Sequence, residues 1–192
     1  MDIVGYFTAL GLATAAGLNA WIPLLATGLL ARWTDVIELD GTWASLEDTA
    51  VLFALGAVAA LDFVGDKVPG IDHALHAAGT VIAPATGVVA ALASSSALDV
   101  SPAVMTVIGL VAAETSHGTR MAIRPFSTAT TGGAGNPVVS LIEDVVSFGL
   151  SFVAILLPVL AALVVVAMFA AAWTVIRRLR RRLRERSAPA PA

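Results

Sequence analysis

Glu114, His117, Arg120 and Arg124 recur at i, i+3, i+6 and i+10 in a stretch of helical periodicity. At about 100° per residue they fall within one arc of roughly 120°, a single polar stripe on a helix whose opposite face is mostly apolar. Shortly downstream, glycines at 132, 133 and 135 precede Asn136-Pro137. Asparagine is a good N-cap and proline suits the first helical position, so a helix is predicted to start at Asn136. Free N–H groups and the dipole at such a start suit an anion, and Arg120 and Arg124 lie just upstream. Glu143 and Asp144 follow two turns into that helix; they either pair with the arginines or bind protons or cations. The candidate substrate-binding set is therefore Glu114, His117, Arg120, Arg124, Gly133, Gly135, Asn136, Glu143 and Asp144. The competing reading of the same stripe is an internal salt bridge with no ligand.

A second group lies in LDFVGDKVPGIDHALH, which brings Asp62, Asp66, Lys67, Asp72, His73 and His76 together in sequence. Asp62 and Asp66 share a helix face, as do Asp72 and His76. Carboxylates and histidines suit a proton relay or a coupling-ion site; the alternative is that they are merely solvated at an interface. Glu114-x-x-His117 has the spacing of a di-iron bundle motif, but such bundles carry two of these motifs and additional carboxylates, and only one occurs. No metal or other cofactor is expected. No catalytic residue is assigned: there is no cysteine, no serine sits in a nucleophile-elbow pattern, and the glycine loop lacks the Gly-Lys-Ser/Thr ending of a phosphate-binding loop.

The elements that position these groups are nearly continuous apolar sequence. The 192 residues are 58% hydrophobic and 13% charged, about half the ~25% charge of soluble domains, with mean hydropathy +0.88. Several runs approach the ~20 residues needed to cross a bilayer. The fold class is thus all-α: a polytopic membrane helical bundle of about five transmembrane segments. These cover roughly 3–31, 46–64, 71–93, 103–124 and 138–176. The last gives a sixth segment if it breaks near Pro158, and 125–144 is expected to hold a re-entrant or broken segment. Ser45 and Asp48 are expected to cap the second segment, and Pro69-Gly70 to form a turn. Small residues such as Gly56 with Ala60 would let helix backbones approach closely.

Residues 1–176 are read as one transmembrane domain and 177–192 as a basic, Ala/Pro-rich tail. Asp2 stands where a signal peptide would be basic, so the first helix is expected to be retained. Arg177–Arg186 holds seven of the eleven basic residues, which places the tail on the cytoplasmic side of the cell membrane. Nucleic acid is not an expected partner, because interleaved aromatics are missing. Topology does not close: five crossings put Lys67, Arg120 and Arg124 on the side opposite the tail. A weak internal similarity relates 3–93 to 103–176, through LGLATAAGLNAWIP against IGLVAAETSHGTRMAIRP and GDKVPGIDHALHAAG against GAGNPVVSLIEDVVSFG. Paired interrupted segments of this kind point to a transporter's midplane site.

GLNAWIPLLATGLLAR, DKVPGIDHALH, SHGTRMAIR and NPVVSLIEDV, in this order and spacing, resemble a bacterial integral membrane family, domain of unknown function 4126. The resemblance covers the chain to about residue 170 and implies a small multi-helix membrane protein, with no substrate, cofactor or catalytic residue attached. The expected function is a small transporter or channel-like binder of a small solute or ion, an anionic one among the candidates, within the bilayer. Asp62, Asp66, Asp72, His73 and His76 would serve proton or ion coupling, and a homo-oligomer is expected. The alternatives are a membrane enzyme acting on lipid headgroups, with or without a metal, and a non-catalytic scaffold using its basic tail.

Overall fold

The computed structural model describes residues 3–67 and 71–186, the side chains of 72, 73, 76, 126, 179, 180 and 182–186 excepted. The expected Pro69-Gly70 turn and the side chains of Asp72, His73 and His76 lie outside the described residues. Every described element is helical: α1 (Ile3–Leu18), α2 (Ile22–Trp33), a 3-10 turn (Gly41–Glu47), α3 (Thr49–Gly65), α4 (Ile71–Ala93), α5 (Pro102–Thr131), α6 (Asn136–Leu156) and α7 (Pro158–Arg186). Two stretches, Asn136–Leu156 and Pro158–Arg178, are each long and apolar enough to cross a membrane; the bent pair Gly41–Glu47 and Thr49–Gly65 makes a third if it counts as one span.

α1 occupies the centre and packs on α4, α5, α6 and α7. Ala9, Leu12, Ala13, Ala15 and Ala16 have no exposed surface, as expected for a helix that is apolar all round. Its glycines set how closely the neighbours approach. A methyl group on Gly11 would lie 2.6 Å from Ala154 Cβ and 3.2 Å from Ala161 Cβ. Residues seven apart in one straight helix are separated by about 10.5 Å, so both alanines reach Gly11 only because the chain folds back at Leu157. The long 138–176 segment is therefore two helices. By contrast, a methyl on Gly56 would meet nothing within 4 Å, so the expected Gly56–Ala60 face contacts no neighbouring helix.

The first apolar segment also reverses. Asn19 ends α1, and its Oδ1 accepts the N–H groups of Trp21 (3.1 Å) and Ile22 (3.3 Å) at the start of α2. α2 then runs back beside α1, bringing Asp35–Glu38 next to Val4, Gly5 and Thr8. Ser94, Leu98 and Pro158 line the same recess, and Asp40 N–H donates to Ser96 Oγ at 2.8 Å. One end of the bundle thus gathers residues 4–8, 33–48, 94–102 and 155–158. The other gathers the α1–α2 turn, the end of α3, and the facing parts of α5 and α6. α7 starts at the first end and runs toward the second, carrying Arg177–Arg186 with it.

Three local expectations change. Ser45 Oγ donates to Thr42 O at 2.7 Å and Asp48 makes no side-chain cap, so the second segment starts at Thr49. α5 continues through Pro125, which costs one helical hydrogen bond without ending the helix. The chain leaves α5 only at Gly132 (φ 63°) and Gly133 (φ 92°), where positive φ requires glycine. Only four residues then separate α5 from α6, so the break expected within 125–144 falls between these two helices. The two halves also differ: α1 breaks at Asn19, whereas α5, its expected counterpart, is unbroken.

Candidate functional site

The second end holds a buried ion network built from four elements. Burying charge is costly unless each group is paired and hydrogen-bonded, and nearly every group here is. On α5, Arg120 Nη2 donates to Asp66 Oδ2 at 2.7 Å, and Nη1 donates to Leu18 O at 2.8 Å. The latter contact fills a carbonyl left open where α1 stops, and sets a cation at the negative end of that helix. Arg120 Nε lies 2.7 Å from Glu143 Oε2, off the N–H direction. One turn on, Arg124 Nη2 donates to the same Glu143 oxygen at 2.8 Å and lies 3.5 Å from Asp66 Oδ2. Ser140 Oγ, on α6, donates to Asp66 Oδ2 at 2.8 Å.

Asn19 links the network to the break in α1. Its Nδ2 donates to Asp62 Oδ2 at 3.1 Å and to Asp144 Oδ1 at 3.0 Å, while its Oδ1 holds the start of α2. The side chain is 2% exposed. One residue thus tethers α1, α2, α3 and α6. Lys67 Nζ lies 3.8 Å from Asp144 Oδ2, donates to Phe63 O at 2.6 Å and sits over the Phe63 ring. Among the described residues, four carboxylates (Asp62, Asp66, Glu143, Asp144) therefore face three cations (Lys67, Arg120, Arg124). Asp62 alone of the four has no cation within ion-pair distance.

His117 is 2% exposed, and neither ring nitrogen has a hydrogen-bond partner. Its ring occupies the space left by Gly79 of α4, where a methyl would lie 2.8 Å from Cε1. Beside it lies a cavity of about 410 Å³, walled by Val58, Leu61, Val64, Leu75 and Ile82 of α3 and α4. Its polar lining comes from Asp62, Asp66, His117 and Arg120, with Trp21 and Ala20 at the α1–α2 turn.

The expected substrate set is thus only partly brought together. His117, Arg120, Arg124, Glu143 and Asp144 converge with Asp62 and Asp66. Glu114 does not: it is exposed on the outer side of α5, and with His117 turned inward the di-iron spacing has no common centre. Among the described residues no group of three or more His, Asp or Glu is set to hold a metal ion. Gly133, Gly135 and Asn136 form a closed loop instead of an anion cradle. Asn136 Nδ2 donates to Thr128 Oγ1 at 3.0 Å, and Gly135 rather than Asn136 takes the cap position. The N–H groups of Ala134, Gly135, Asn136, Val138 and Val139 all have acceptors within the hairpin, and Pro137 has none to offer.

Asn19 and Ser140 were not singled out as site residues in the sequence. An asparagine between two apolar runs, able to end one helix and start the next, is the signal that the sequence offers for Asn19. A family model described as "Domain of unknown function (DUF4126)" matches residues 6–178. No curated protein and no solved structure matches the chain.

Proposed function

We propose that this chain, which belongs to the DUF4126 family, is a multi-pass membrane protein that binds a small solute at the cavity beside the ion network and acts as a transporter or channel-like carrier for it. The observation that carries this reading is His117: a buried imidazole with two unpartnered nitrogens, facing a cavity that also receives Asp62. A purely structural ion network has no use for a cavity of this size or for an unsatisfied histidine beside it.

A membrane topology consistent with all the charges follows. α1 is about 24 Å long and α2 about 18 Å, and their buried turn lies short of the far side. They form a re-entrant hairpin, tolerated because its non-helical tip is enclosed by protein. α3 to α7 then make five crossings. All of the eleven basic residues except Arg32 fall at the second end, or on α7 where it leaves that end, while Asp35, Glu38, Asp40, Glu47, Asp48 and Asp99 fall at the first. The positive-inside rule makes the second end cytoplasmic. The exposed apolar faces of α6 and α7, with Val145, Phe148, Leu163 and Val166 each more than half exposed, then meet lipid.

Glu114 supports a homodimer. It lies about 18 Å from the start of α5, at mid-bilayer, where an ionisable group facing lipid is costly. Thr115 and Gly118 are exposed beside it, so a second copy packed on this face would cover all three. The chain has no cysteine, so Gly118→Cys should cross-link to a dimer on mild oxidation in membranes; exclusively monomeric protein would reject that interface.

The solute site is tested by reactivity in lipid nanodiscs. Ala20→Cys, at the cavity, should react with a charged thiosulfonate reagent, whereas Leu12→Cys, in the core, should not. An Ala20→Cys protein as inert as Leu12→Cys would reject an accessible solute site.

A further inference from the structure

The polar groups that face the cavity are not equivalent, and the difference specifies a ligand. Arg120 is committed to Asp66, Glu143 and the Leu18 carbonyl, so an anion could bind it only by displacing a carboxylate. Asp62, in contrast, accepts one hydrogen bond from Asn19 and has no cation beside it. Among the described residues the network holds four carboxylates and three cations. Of the charged groups that line the cavity, Asp62 is thus the one not already held by an ion pair among the described residues. His117 adds two ring nitrogens with no partner, one an acceptor and the other an N–H donor in the neutral imidazole. Apart from Trp21, the cavity's remaining walls are aliphatic. They come from α3 and α4, and in α3 only Leu52 and Gly65 are buried.

Resting on the solute-site reading above, we infer that the ligand is an amphiphilic cation: an ammonium head carried on an apolar body. The head donates to Asp62 and His117 and sets a positive charge beside the carboxylate that has no cation within ion-pair distance among the described residues. The body lies along Val58, Leu61, Leu75 and Ile82. Entry is sideways, between α3 and α4, from the bilayer in which such a molecule is already concentrated.

The test uses full-length protein in phosphatidylcholine nanodiscs, with Trp33, Trp43 and Trp173 each changed to Phe so that Trp21, at the cavity, is the sole tryptophan. Decylamine, decanol and decanoate are titrated against Trp21 fluorescence. Decylamine should give a saturable change at least about tenfold tighter than either analogue, since a hydrogen bond to a charged partner is worth that much. Asp62→Asn should weaken decylamine by a similar factor and leave decanol unchanged. Equal affinity for all three chains, preference for decanoate, or an Asp62→Asn protein with undiminished decylamine binding would each overturn the cationic assignment. If no probe saturates while Ala20→Cys still reacts, the amphiphile is wrong and the solute site stands. If Ala20→Cys is also inert, the site itself fails. The chain-type preference of the protein with Asp62 intact decides the matter even where Asp62→Asn does not fold.

Discussion

At the residue scale, Asn19 does the most with one side chain. It bridges carboxylates 43 and 125 residues away in sequence and also holds the start of α2. Asn19→Ala should cost about 2–4 kcal/mol, because the buried Asp144, the half-buried Asp62 and two N–H groups lose a partner together. Thermal unfolding in detergent would measure it. The arginine–carboxylate contacts lead to a different expectation. Glu143→Ala leaves Arg120 and Arg124 short of an acceptor and should cost about 3–5 kcal/mol, whereas adding Arg124→Met should recover part of that loss. A double-mutant cycle with additive losses would contradict the network. His117, Arg120 and Arg124 were legible because charge in apolar sequence stands out. Asn19 was not, since its partners come from distant segments. Glu114 was grouped with them because all four share an arc of roughly 120°, yet the boundary between the buried and exposed faces of α5 falls inside that arc.

At the element scale, small residues decide which helices touch. Gly11→Val should be destabilising by about 1–3 kcal/mol or more, since its methyls would enter Ala154 and Ala161. Gly56→Val should change stability by less than about 0.5 kcal/mol, because nothing lies within 4 Å. Equal effects in a paired unfolding experiment would contradict the packing of α1. Helix positions were largely legible from apolar run length, and Pro158 marked the second reversal as a candidate break, but the reversal at Asn19 was not legible. The turns at Asn19 and Leu157 carry no string of polar residues, because each is buried or immediately followed by apolar helix. The glycine loop misled in the other direction. Ser127-Thr-Ala-Thr-Thr131 reads as a linker, but its hydroxyls bond back to carbonyls of the same helix or to the turn, as Thr131 Oγ1 does to Ser127 O at 2.7 Å; α5 therefore extends to Thr131.

At the scale of the whole molecule, the two reversals remove the conflict that a simple segment count creates. In the proposed topology the first segment returns to its own side and the last crosses twice, so Lys67, Arg120, Arg124 and the arginine run share one end. In intact cells, Asp40→Cys should react with a membrane-impermeant maleimide and Arg181→Cys should react only after permeabilisation; the reverse pattern would invert the topology. The same sidedness applies to the cavity. The most direct test of the account is the rate at which Ala20→Cys reacts with an impermeant thiosulfonate in sealed vesicles of known orientation. Reaction from the face that Arg181→Cys labels, slowed by decylamine, is the result expected of a solute site at the cytoplasmic end. Reaction only from the face that Asp40→Cys labels, or from neither, would contradict it.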